Sequence, residues 1–146
     1  MRIVTRIIAI SRATRLGREF REIDGIIQGL SHDARQKLAL FALRELAQAG
    51  RCEFPHLYGT SPEKRYAVWG SGAETGLTRA RSDNPQVRLR GIALWLAVIF
   101  HETRDSEHAQ IAAVHRQILR VLRQLKQSVP ENTVSNTWAG TAEAAA

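Results

Sequence analysis

From Glu107 to Val129 the apolar side chains come at steps of three and four: Ile111, Val114, Ile118, Val121, Leu122, Leu125 and Val129, with Arg116, Arg120, Arg123 and Lys126 between them. A period of 3.6 puts the first set on one side of an α-helix and the second on another. Such a helix cannot bury its apolar stripe alone, so the rest of the chain must supply the elements that cover it.

Three more stretches carry helical spacing. Leu16, Phe20, Ile23, Ile27 and Leu30 form one stripe, with Arg18, Glu19, Arg21 and Glu22 outside it. Gly25 and Gly29 weaken that helix by about 1 kcal/mol each relative to Ala; close approach of a second helix is the lesser reading of them. Residues 2–10 suit either an edge strand or the start of a helix. The helix is preferred, because it turns Arg2, Arg6 and Ala9 away from Ile3, Ile7 and Ile10 and leads into a helical sequence.

Ser31 can accept from an unpaired amide of the next turn and Gly50 is a stop, so DARQKLALFALRELAQA between them reads as a helix. Leu38, Phe41, Ala42, Leu46 and Ala49 form its buried face, widened by Leu40 and Leu43. Asn84 and Pro85 open another helix through VRLRGIALWLAVIFHET, apolar on all sides from Ile92 to Phe100 and so placed inside the bundle. Asp105 or Ser106 caps the last helix, over 107–129, and the short link predicts antiparallel packing.

The expected architecture is all-α: a single bundle of about four main helices over residues 1–130, with a flexible tail over 131–146. Residues 51–83 form a long basic loop interrupted by one short helix, PEKRYAVW, whose RYAVW would also suit a strand. In the rest, GSGAETGLTRARSDN, the glycines read as turn residues.

The chain has 146 residues and a formal charge of +7, enough length to bury a core without disulfide or metal. Collagen-like, low-complexity and wholly disordered classes are excluded by composition. Cys52 is the only cysteine, so no intrachain disulfide is possible and a reducing cytoplasm is expected. The apolar run between Arg6 and Arg12 is shorter than a secretory core, and Gly91–Phe100 is half a bilayer span. Neither a cleaved signal nor a membrane partner is expected.

No arrangement of catalytic residues survives inspection. His101, Asp105 and His108 are spaced i, i+4 and i+7 and would align as metal ligands on one continuous helix, but the capping signals at Asp105 and Ser106 interrupt it. His101 and Glu102 begin an H-E-x-x-H pattern whose second His is missing. Gly70, Gly72 and Gly76 mimic a phosphate loop, yet Leu77 stands where the loop needs Lys. Cys52 and His56 lack a third, orienting group. No enzyme activity, metal or cofactor is expected.

Charge is the remaining signal. Residues 1–23 sum to +4 and residues 106–130 to +3. Arg116, Arg120, Arg123 and Lys126 line the last helix, and Arg79 with Arg81 and Arg88 with Arg90 form two R-x-R pairs. Guanidinium forks suit phosphate oxygens, so these eight residues are the candidate contacts to a DNA or RNA backbone, without sequence-specific readout. The competing account is compositional: 18 Arg against 3 Lys and abundant Ala is what a GC-rich coding sequence produces. A helix-turn-helix is not expected, since about eleven residues separate its candidate helices. The alternative function is an interaction or assembly module, self-associating or binding a protein partner through apolar helix faces and the tail residue Trp138.

Overall fold

The structure is a computed structural model that describes residues 2–51 and 72–129. Within them are five helices and no strand. They are α1 (Arg2–Gln28), α2 (His32–Arg51), α3 (72–80), α4 (Pro85–Thr103) and α5 (Ala109–Gln127). The all-α bundle is as the periodicity requires, and residues 2–10 take the helical option. The tail, including Trp138, and the PEKRYAVW segment lie outside the described residues.

Local chemistry fixes the turns. The Ser31 hydroxyl accepts from the Ala34 amide at 3.2 Å, which caps α2, and the Arg35 guanidinium donates back to the Gln28 carbonyl at 3.1 Å. One free donor and one free acceptor of the α1–α2 corner are thereby satisfied. Asn84 Oδ1 accepts from the amides of Gln86 and Val87 at 3.0 and 3.3 Å, with Pro85 at the first helical position. At the start of α5 the N-cap is His108, and neither Asp105 nor Ser106; Ser106 Oγ instead accepts from the His108 amide at 3.3 Å. Gly50 does not end α2, which continues to Arg51.

α4 is the hub. From Gly91 to Phe100 every residue but Leu94 is buried, and Trp95, Ile92, Leu96 and Ile99 are fully enclosed. α2 and α5 pack on it, α5 also meets α1 and α2, and the Phe20 ring lies 6.3 Å from that of Trp95. Arg12 of α1 pairs with Glu102, and Glu19 accepts from Trp95 Nε1 at 3.3 Å. Rising numbers on α1 meet falling numbers on α4, so these helices are antiparallel. In α2, Leu43 joins the core as expected, whereas Leu40 is exposed.

The second half of the expected 51–83 loop is helical from 72 to 80, and its glycines are not turn residues. Gly72 faces Val98, Gly76 faces the backbone of Trp95 and Gly91, and Gly91 faces Arg79 and Ala80. Gly72, Gly76 and Ala80 recur at i+4, which strips side chains from one edge of α3 and lets it lie directly on α4. The lesser reading of Gly25, close approach of a second helix, does not hold, since an added β-carbon there would meet nothing within 4 Å.

Candidate nucleic-acid interface

The eight basic residues singled out by sequence do not share one environment. Arg81 forms a two-pronged pair with Glu22 of α1, at 2.8 and 3.0 Å. The hydrogen bonds from Arg81, ahead of its charge, hold the Glu22 carboxyl below its ordinary pKa. Arg88 folds back onto the turn before its own helix and donates to the carbonyls of Ser82 and Asp83 at 3.0 and 3.3 Å. The Arg90 guanidinium sits 5.3 Å from the centre of the Phe41 ring on α2, a cation–π contact. Three of the four R-x-R arginines therefore have structural partners inside the fold. Arg79 is exposed, and Lys126 is half-buried.

Arg116, Arg120 and Arg123 are all exposed on α5, on the side opposite its buried residues Ile111, Val114, Ile118, Val121, Leu122 and Leu125. Nothing among the described residues pairs with them. At 1.5 Å per residue, the three span about 10 Å along the helix.

Two exposed arginines of α1 stand at the same level of the bundle. Glu102 pairs with Arg12 on α1, while the next residue, Thr103, meets His115 on α5, so Arg12 and His115 stand at about the same height. α1 and α5 both run antiparallel to α4, and they pack against each other in parallel. Arg18 and Arg21 of α1 thus fall at the height of the Arg116–Arg123 run. Both are exposed and, like the α5 arginines, unpaired among the described residues. Their signal in the sequence is the +4 of residues 1–23, which carries no information on their place beside α5.

The remaining sites are chemically quieter. Among the described residues no group of three His, Cys, Asp or Glu side chains is gathered to hold a metal ion. α4 ends at Thr103, so His101, Asp105 and His108 do not share a helix. His101 is buried, its ring edge-on to Phe100, and burial first, then the charge of Arg104 and of His115, pushes its pKa down to about 4. His115 stacks on Phe100 at 5.1 Å. The Thr103 hydroxyl donates to the Ile99 carbonyl at 2.6 Å and so accepts from His115 Nδ1 at 2.9 Å. The His115 pKa is also lowered, chiefly by burial. These neutral rings fill the end of the core.

A cleft of about 750 Å3 opens where α1, α3 and α4 meet, with Arg15, Glu19, Glu74, Arg79, Arg81 and Glu102 on its walls. Its charges are mixed and largely engaged: Glu102 with Arg12, Glu19 with Trp95 and Arg15, and Arg81 with Glu22. It offers no concentrated field of either sign. Comparison of the chain with models of protein families, with curated proteins and with solved structures finds no match.

Proposed function

We propose that this chain is a non-enzymatic accessory protein that binds the backbone of DNA or RNA through the α1–α5 side of the bundle. One observation carries the reading: Arg18, Arg21, Arg116, Arg120 and Arg123 are exposed, unpaired among the described residues and level with one another on neighbouring parallel helices. Arg81, Arg88 and Arg90 are engaged inside the fold, whereas these five leave their guanidiniums to solvent at one level of the bundle. The 10 Å run on α5 matches about three phosphates of one strand, at 3.4 Å per charge along the duplex axis. Nothing in the arrangement reads base edges, so the expected binding is sequence-independent.

The experiment is retention of a mixed-sequence DNA or RNA fragment as a function of salt. Binding at low salt, release at moderate salt, and loss in the Arg116→Glu, Arg120→Glu, Arg123→Glu triple variant with an unchanged circular dichroism spectrum support the reading. Absence of retention at low salt sinks it.

The assembly reading draws less support. The apolar faces of α4 and the second half of α1 are used inside the bundle, as is that of α5. Among the described residues the large apolar side chains left outside are Ile3, Ile7, Ile10, Leu40 and Val87.

A further inference from the structure

α1 carries two apolar faces that point in different directions. Ala13, Leu16, Phe20, Ile23 and Ile27 are buried on the side that covers the core. Ile3, Ile7 and Ile10 keep helical spacing among themselves, but at 100° per residue their stripe is turned roughly a third of a turn away. They are 73%, 60% and 50% exposed. Rolling the helix to bury the first stripe would expose the second, so the described helices do not cover both. Single exposed apolar residues are ordinary; three in register make a narrow apolar stripe.

The charge around that face selects its occupant. The first 18 residues hold Arg2, Arg6, Arg12, Arg15 and Arg18 before the first acidic residue, Glu19; Glu102 and Glu19 match Arg12 and Arg15, and Arg2 and Arg6 stand about 100° around the helix from the isoleucine stripe, along its flank. A second copy laid against the same stripe would set like charge on like charge. Area argues the same way: three half-exposed to three-quarters-exposed isoleucines fall well short of the roughly 800 Å2 per partner of a stable protein interface. A narrow apolar stripe flanked by positive charge fits an anionic lipid surface. Isoleucines enter the boundary of headgroups and acyl chains while guanidiniums stay among the headgroups.

We propose that the 3–10 face of α1 is a contact site for anionic membrane surfaces. The helix lies on the surface; no described helix is long and apolar enough to cross a membrane. Neither signal alone is strong, so the contact needs both and is reversible. A surface contact asks for much less apolar length than a spanning segment does. This proposal does not rest on the nucleic-acid reading.

The test is co-sedimentation of the full chain with vesicles of phosphatidylcholine, alone or mixed with phosphatidylserine, beside an Ile3→Ser, Ile7→Ser, Ile10→Ser triple variant. The expected result is pelleting with the anionic vesicles only, reduced about tenfold or more in the variant, whose helix content and nucleic-acid retention stay unchanged. No pelleting, or equal pelleting of variant and parent, overturns the proposal. So does a parent dimer in sedimentation that the variant abolishes, which would give the face to a second copy. A variant that loses nucleic-acid retention also overturns it, by assigning the segment to the other site.

Discussion

Gly76 lies so close to Trp95 that a β-carbon on it would stand 2.7 Å from the Trp95 amide nitrogen. One turn along α4, a β-carbon on Gly91 would stand 2.4 Å from the amide nitrogen of Ala80. Backbone atoms cannot swing aside as a long side chain can. The α3–α4 crossing therefore depends on two glycines that are 15 positions apart in the sequence.

Gly76→Ala and Gly91→Ala are each expected to destabilise the fold by about 1–3 kcal/mol or more, as overpacking against backbone does. Gly25→Ala is the control with the opposite sign: its position is helical and exposed with nothing within 4 Å. There the substitution is expected to stabilise by about 0.4–1 kcal/mol. Urea midpoints of the three variants decide it, and a Gly91→Ala variant as stable as the parent would contradict the close crossing.

Acid should loosen the far end of the core. The folded-state pKa of His101 is lowered from 6.5 to about 4, so the stability that depends on its neutral form is complete above about pH 6.5 and drains away as pH falls toward 4. At 1.36 kcal/mol per unit, the loss from His101 reaches about 3 kcal/mol. His115 acts in the same sense, its pKa also being lowered. Glu22, whose pKa is lowered from 4.5, contributes stability that is lost only at more acid pH. Urea denaturation at pH 7 and pH 5 measures the effect. His101→Leu is expected to flatten the difference, and an unchanged slope in that variant would mean that His101 does not titrate as its burial implies.

What could be read from sequence and what could not divide along the range of the interactions. Ser31 and Asn84 act on amides two or three positions away, and both caps are where the sequence puts them. The burial of α4 follows from its own uninterrupted apolar run. Gly72 and Gly76 look like turn residues in the sequence because a helix-edge glycine has no local signature; its reason is the partner helix. The same holds for charge. Arg81 meets Glu22 at a separation of 59 positions, and Arg90 meets Phe41 across two helices, so neither pairing leaves a trace in spacing. Only the packing of α1 beside α5 puts Arg18 and Arg21 level with the α5 arginines, and spacing along the chain does not carry that.

That division gives the charge its sharpest test. If exposure and lack of a partner decide which arginines meet phosphate, Arg120→Ala should weaken nucleic-acid retention and reduce the salt slope by about one unit on duplex DNA. Arg18→Ala should do the same from α1. Arg81→Ala should leave retention nearly unchanged, because its charge is already matched by Glu22, and should cost under about 1 kcal/mol as an exposed pair. Arg88→Ala should act on stability and not on binding, since it removes the donors held by the Ser82 and Asp83 carbonyls. With five contacts the parent slope is expected near −4.5, which amounts to a loss of several hundredfold in affinity between 50 and 200 mM salt. Equal losses from Arg81→Ala and Arg120→Ala would mean that binding follows net charge alone, and the α1–α5 side would then have no claim to be the site.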